Sequence, residues 1–389
     1  MNGLYFDSAS TTPVDVEVAA AMLQVLHTVS GNPSSSAHAF GRSAAQRVEQ
    51  GRRQIAEEFG CESDEVIFTS GATEADNLAL AGVAHAHADK GRHLIVSAIE
   101  HRAVLACAEQ LERDGFAVTR VKPDANGVVA PAAIAAAIRP DTLLISLMHT
   151  NNEIGVIQPI EAVAELAAEA GVLFHVDAAQ AVGKFEIDLA ALPIDLLTAS
   201  AHKLHGPQGI GCLILRNRRL LKLAPLMQGG AHEYGLRPGT LPVHQIVGFA
   251  AALRKAARQR AHDLAQVTAV RARFLDTLSA EADTDVVVQG TAAPQRSPYI
   301  LGLSFPGLSS DALINQLDGQ VAIASGSACS SGALEPSYVL RAMGVQDDLL
   351  YGAVRVSFDR THSIEQADEA ARRIAAAVRR IRRLMQESG

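Results

Sequence analysis

No apolar run in the 389-residue chain approaches the roughly 18 residues of a membrane-spanning helix, so no membrane association is expected. The N-terminus, Met1 to Asp7, has no basic segment followed by an apolar core, which excludes the pattern of a secretory signal. There are only four cysteines: Cys61, Cys107, Cys212 and Cys329. None stands in a Cys-x-x-Cys pair, so the spacing offers neither a zinc site nor a disulfide framework, and no metal is expected. Such a chain fits a reducing cytoplasm. The net charge is −8, which argues against direct nucleic-acid binding as the main function and leaves only a local basic patch open. There is no internal repeat, and no low-complexity segment beyond some alanine-rich helices.

With 48% hydrophobic and 20% charged residues, the chain has the profile of a soluble globular protein, and its length suits two to three domain units. Short apolar runs alternate with helical patterns through the first two thirds. Candidate strands are 66–69, 94–97, 117–121, 143–147, 172–176, 195–198 and 212–215. That alternation predicts an α/β fold with a mainly parallel seven-stranded sheet. Tyr5 to Pro13 reads as a short strand running into a turn, with Pro13 opening a helix. Helical patterns cover about 43–59 and, after Pro242, an Ala- and Arg-rich stretch to about 282. A smaller α/β unit follows, with strands near 300–305, 321–324 and 354–358 and a last helix from about 364 to 385. The expected division is a large domain of 13–257 and a small domain of 1–12 with 258–389.

The residues with chemical potential collect after these strands. Thr198 to Lys203 places a hydroxyl, an imidazole and an amine within a few residues, at Ser200, His202 and Lys203. That set can hold a phosphate and form a Schiff base with an aldehyde. Asp177 follows a buried-strand pattern directly, at the carboxyl end where open α/β sheets place ligands. It equally suits a turn or cap. Gly71 and Thr73 open a helix after a strand, as an anion site or an ordinary capped helix. His101 follows another strand, where it can exchange protons or cap a helix. Asn151 and Asn152 suit a ligand contact or a turn, and Gln180 suits the same ligand as Asp177 or a helix surface. Arg355 lies opposite Val354 and Val356 on its strand, as a carboxylate clamp or a salt bridge. Cys61, Cys107 and Cys212 read as core fillers. Cys329 differs, because its neighbours 323–332 are nearly all small and cannot pack a core. An exposed thiol on a mobile loop suits a nucleophile.

Taken in order, these segments resemble the group I cysteine desulfurases, among the class V, fold-type I pyridoxal phosphate (PLP) enzymes. The resemblance runs nearly end to end. It rests on Asp7 to Pro13, Gly31 to Ser35, Thr69 to Asn77, Glu100-His101, Asn151 to Gly155, His175 to Asp177, Ser200 to Lys203, Gly206-Pro207, Arg237 to Pro242 and the Cys329 loop. It implies that Lys203 holds PLP, Asp177 pairs with the pyridinium nitrogen, Gln180 bonds the phenolic oxygen and His101 stacks on the ring. Thr73, Ser200 and His202 would bind the phosphate, with Thr240 reaching the cofactor of the other subunit of a homodimer. Asn152 and Arg355 would hold the carboxylate of L-cysteine. Cys329 would take the sulfur as a persulfide and pass it to an acceptor protein, for iron–sulfur cluster assembly or a thio-modification. The chain ends at Gly389 without the longer tail by which housekeeping members dock a scaffold protein, so a specialised role is equally open. A selenocysteine lyase, another class V enzyme and an inactive sulfur-relay scaffold are the competing readings. The thiol at Cys329 argues against a transaminase, and retention of Lys203, Asp177 and His101 argues against an inactive scaffold.

Overall fold

The computed structural model describes residues 3–281, 285–326 and 336–387. Its strands are β1 (Leu4–Tyr5), β2 (Val66–Thr69), β3 (His93–Ser97), β4 (Ala117–Val121), β5 (Thr142–Ser146), β6 (Leu173–Asp177), β7 (Leu196–Ser200), β8 (Gly211–Leu215), β9 (Val287–Val288), β10 (Ile300–Ser304), β11 (Val321–Ala322), β12 (Ala324–Ser325) and β13 (Ala353–Ser357). Seven of them form one sheet in the order β2-β8-β7-β6-β5-β3-β4, and β8 alone runs antiparallel to its neighbours. Most of these strands are buried along their whole length. That explains why they read as continuous apolar runs rather than alternating ones.

Helices cover both faces. They are α1 (Val16–Thr28), α2 (Ala39–Phe59), α3 (Ala72–Ala86), α4 (Arg102–Arg113), α5 (Pro131–Ala137), α6 (Ile160–Ala170), α7 (Val243–Glu281), α8 (Ser310–Leu317), α9 (Tyr338–Ala342), α10 (Asp347–Leu350) and α11 (Ile364–Glu387). One face of the sheet packs Leu78, Leu80 and Val83 of α3 with Val104 and Leu111 of α4. The other packs Val48 and Ile55 of α2 with Ile246, Phe249 and Leu253 of α7. Farther along α7, Val267, Val270, Phe274 and Leu278 enter a second core with α11 and the strands β10 and β13. One long helix therefore ties the two cores together. The second core lies against an antiparallel sheet in the order β12-β13-β10-β9.

Two sequence expectations need correction. Pro13 does not open the first helix. Asp15 has extended backbone, and its carboxylate accepts from Glu17 N at 2.9 Å, so α1 begins at Val16. The Pro13 carbonyl instead takes a hydrogen bond with His205 Nδ1 at 3.0 Å. The run 321–324 is not one strand. It breaks at Ile323, where β11 leaves its parallel partner β1 and β12 joins β13.

Among the described residues, no helix is long and apolar enough to cross a membrane, and no His/Cys/Asp/Glu group is arranged to hold a metal.

Candidate active site

The chain switches direction across the large sheet between β3 and β5: β4 lies on one side of β3, and β5 lies on the other. A crevice at the carboxyl ends is the expected ligand site of such a sheet. The strands deliver their chemistry there. β3 ends before His101, β5 before Asn152, β6 at Asp177, and β7 before His202 and Lys203. Thr73, His101, Asn152, Asp177, Gln180, His202, Lys203 and Arg355 all line one cavity of about 670 Å³. That volume is the size of a cofactor or small-molecule site.

The N-terminal segment closes the cavity's inner wall. Ala9 O accepts from Lys203 Nζ at 2.7 Å and from Gln180 Nε2 at 2.9 Å. Thr11 Oγ1 lies 3.1 Å from His202 Nδ1. Thr12 reaches the His202 carbonyl through both its amide and its hydroxyl, each at 2.9 Å. Asp7 and Ser10 hold the Arg355 guanidinium at 2.8 and 2.7 Å, and Asn152 O accepts from it at 2.9 Å. Arg355 thus points away from the second core, as the alternation of its strand predicts, and toward the cavity.

Asp177 Oδ1 accepts from Ala179 N at 2.9 Å, which turns the chain after β6. The amides of the Asn151-Asn152 pair divide the work. Asn151 shapes the turn, accepting from Glu153 N and Ile154 N and donating to Ile99 O. The buried Oδ1 of Asn152 has no partner, and neither do Arg355 Nε and Ser200 Oγ. Buried polar atoms are normally satisfied, so Asn152 Oδ1 and Arg355 Nε, both on residues that line the cavity, are free to meet a polar ligand there. Ser200 is fully buried at the end of β7 and does not line the cavity. Gly71 caps α3 with φ 154° and ψ −176°, a backbone region open almost only to glycine. Thr73 is then the second helical residue, beside the free N–H groups of the helix start.

His101 caps α4, its Nδ1 accepting from Ala103 N at 3.2 Å. It also lines the cavity, so the two sequence readings of this residue are compatible. Burial, helped by Lys203 and Arg355, lowers its pKa against the pull of Asp177. Burial with the positive charges of Lys203 and Lys184 brings His202 down to about 4. Both imidazoles are therefore neutral near pH 7. Deeper in the sheet, His175 bridges Ser146 Oγ and Thr198 Oγ1 at 2.9 and 3.1 Å, and burial alone takes it to about 3.

Several ionisable residues escaped the sequence reading. Glu153 is fully enclosed and lines the cavity; burial raises it to about 7 against the Ser337 hydroxyl bond and Arg355. Asp76 and Glu100 are pushed up by burial, with the Asp177 charge adding to both. Lys184 is driven down to about 7 by burial, then by Lys203. It meets Gln180 across the turns that follow β6, where its Nζ donates to Gln180 Oε1 at 3.2 Å.

Among the described residues, two of the expected ones, Ser200 and Thr240, do not line the cavity. Thr240 is exposed. Cys329 falls in 327–335, outside the described residues. Of the remaining thiols, Cys107 and Cys212 are buried and Cys61 is half-buried, as core fillers should be.

Residues 4–369 match the family model described as aminotransferase class-V. The chain is 46% identical over 383 residues to cysteine desulfurase IscS of Pseudomonas entomophila, covering 98% of this chain and 94% of that one. A solved NifS-like protein superposes with a TM-score of 0.89 at 33% identity, over 97% of this chain and 99% of its own. SspA in complex with cysteine superposes with a TM-score of 0.80 at 34% identity, over 91% and 98%.

Proposed function

The chain belongs to the class-V aminotransferase family and, within it, to the group I cysteine desulfurases, and from that premise we propose how its residues divide the work. The observation that carries the proposal is the convergence of Lys203, Asp177, Gln180, His101 and Arg355 on one cavity at the carboxyl edge of the sheet.

The residues present fit PLP. An amine and a carboxylate face the same cavity, glycine opens the helix N-terminus at its rim, and Asn152 Oδ1 and Arg355 Nε on its lining have no partner within the chain. When bound, PLP supplies an aldehyde for amines and an electron sink for the bonds of the substrate. Lys203 holds the cofactor and moves protons. Asp177 supplies the carboxylate for the ring nitrogen, and Gln180 a neutral donor for the phenolic oxygen. Thr73, Ser200 and His202 take the phosphate; His202, held neutral, does so as a dipole rather than a cation. His101, also neutral, is ready to accept a proton. Arg355 and Asn152 hold the carboxylate of L-cysteine.

Cys329 takes the sulfur. Its thiolate attacks the substrate sulfur, the new S–S bond forms as the substrate's Cβ–S bond breaks, and the electron pair left on carbon is protonated to give L-alanine. The balance is L-cysteine plus a Cys329 thiol giving L-alanine plus a Cys329 persulfide. An acceptor protein then receives the sulfur, for iron–sulfur cluster assembly or a thio-modification.

We further propose a cytoplasmic homodimer. Support comes from Thr240, which lies outside its own chain's cavity, and from Leu23, Leu26 and Phe40, which are more than half exposed on α1 and α2. The division into a large unit of 13–257 and a small unit of 1–12 with 258–389 remains part of this proposal; the two cores joined by α7 support it.

The test is alanine release from L-cysteine with a reductant, comparing the wild type with Cys329→Ser. The wild type is expected to release alanine, the variant almost none, and both to keep a yellow cofactor. Equal activity would remove Cys329 as the nucleophile and favour a lyase acting on another substrate.

A further inference from the structure

Among the described residues, Lys184 is the one buried lysine, and it stands beside the cavity, in contact with Gln180. It sits with Gln180 on consecutive turns after β6, closed by the backbone bonds Val182 N to Ala178 O and Phe185 N to Ala181 O. Gly183, between them, has φ +77°, and a Cβ there would come within 2.9 Å of Ala256 Cβ and 3.3 Å of Leu204 Cβ. This glycine lets the turn press against the residue next to Lys203.

Lys184 Nζ donates to Gln180 Oε1 at 3.2 Å, and Gln180 Nε2 donates to Ala9 O at 2.9 Å. The two bonds fix the amide from both ends. Turning it over would set a carbonyl against the Ala9 carbonyl and an NH₂ against the Lys184 amine. Each is a like-with-like contact in a buried place, where a lost bond carries its full desolvation penalty. Gln180 is therefore held with its nitrogen toward Ala9 and the cavity.

We propose that Lys184 is a positioning residue of the active site: it locks the Gln180 amide so that the nitrogen, and not the oxygen, is offered to the bound group. This rests on the reading of the cavity as a PLP site. Burial, Lys203 and Arg355 depress the Lys184 amine and Asp359 opposes them, leaving it near 7. The charged amine can only donate and so fixes the amide outright; the neutral amine also has a lone pair, and above that midpoint the Ala9 carbonyl is the end that keeps the nitrogen in place. The ring of Tyr299, 5.4 Å from Nζ, and a small cavity of about 30 Å³ shared with Lys203, Asp263, Asp359 and Phe358 lie beside it.

The experiment is a double-mutant cycle read by binding rather than turnover. Full-length protein is stripped of cofactor, and the dissociation constant of added PLP is measured for the wild type, K184M, Q180A and K184M/Q180A. The wavelength of the visible band is recorded for each loaded protein. Met keeps the length of the stem and removes a buried amine, so folding is expected to survive; K184L is a second donor-free variant should K184M fail, and a thermal melt checks both. K184M is expected to weaken PLP about 5-fold and Q180A about 10-fold, with a shifted band in each, and the double variant is expected to be no weaker than Q180A. K184R, which keeps a donor and has the small cavity to grow into, is expected to bind within about 2-fold of wild type. Independent, multiplying losses in the double variant would overturn the proposal, because Lys184 would then not act through Gln180. Unchanged binding in K184M would also overturn it while leaving the desulfurase reading intact. A wild type that binds no PLP would instead overturn that reading.

Discussion

Removing the head of Arg355 should raise KM for L-cysteine and leave the cofactor in place. The guanidinium already donates to Asp7 Oδ1, Ser10 Oγ and Asn152 O at 2.8, 2.7 and 2.9 Å, while its buried Nε has no partner. It is thus aimed and partly unspent. A charge-assisted hydrogen bond to a substrate carboxylate is worth about 1.5–3 kcal/mol. At about 1.4 kcal/mol per tenfold, its loss lowers kcat/KM by roughly 10- to 150-fold. The substrate carboxylate keeps its charge throughout the reaction, so this is uniform binding, and the loss should fall on KM with kcat little changed.

The assay is alanine release across a range of L-cysteine concentrations for the wild type, R355M, R355K and D7N. R355M should show the full loss, and R355K, with charge but no planar fork, an intermediate one of about 10-fold. D7N separates the substrate role from a structural one. Asp7 competes for the same guanidinium as an ion pair, so neutralising it should leave KM unchanged or lower it. A KM for R355M within 2-fold of wild type would refute the clamp. Equal rises in KM for D7N and R355M would reduce the pair to a structural strut.

Two further predictions concern buried charge. Glu153 binds its proton up to about pH 7 in the folded protein but only to its ordinary value of 4.5 when unfolded. Between those pH values the folded state holds more protons, so this group subtracts stability as pH rises and levels off above 7. E153Q, which keeps an acceptor for Ser337, should gain on wild type through that window, by on the order of 3 kcal/mol at pH 8. Melts from pH 5 to 8 that stay parallel would refute this. Arg52 and Glu233 form a fully enclosed pair at 2.6 Å, and Glu233 also accepts from Phe68 N at 2.7 Å. It does so from a strained turn in which Glu233 and Tyr234 have φ of 45° and 58°. E233Q removes the enclosed counter-charge and leaves Arg52 with the half-exposed Glu49 at 3.1 Å and the Val66 carbonyl, and should cost about 3 kcal/mol, a Tm drop of roughly 4 °C at this chain length. The double variant R52M/E233M should recover part of that drop, and a double variant less stable than E233Q would contradict the argument.

The large sheet was legible because parallel strands covered on both faces need unbroken apolar sequence, and 66–69 through 212–215 supply it. The site was legible for the same reason, since Asp177, His101 and Lys203 stand where those runs stop. What the sequence hid depends on packing between distant segments. Nothing local says that Lys184 and Glu153 are enclosed, because the walls around them come from Tyr299, Ser337 and Arg355. Asn151 and Asn152 are alike in sequence and opposite in use, since the turn consumes one amide and leaves the other toward the cavity. Pro13 misled because a cap two residues on, at Asp15, sets the helix start more strongly than a favourable first-turn residue.

The N-terminal segment sets the two ends of the cavity, at Lys203 and at Arg355, in register. Phe6 is buried in the second core, stacked 4.3 Å from His362 and edge-on to Phe358. Asp7 bridges to β13 and holds Arg355. Ala9 receives Lys203 and Gln180, and Thr11 and Thr12 hold the His202 turn. One short segment thus fixes Arg355 on one sheet against Lys203 beside the other. Its anchor at Phe6 is apolar and remote from the chemistry. A Phe6→Ala substitution opens a cavity costing about 3–5 kcal/mol, and the slack it creates reaches Arg355 and Lys203 together. Such a variant should therefore raise KM and weaken cofactor binding in parallel, whereas R355M should move only the first. That difference separates misregister of the two ends from loss of either one.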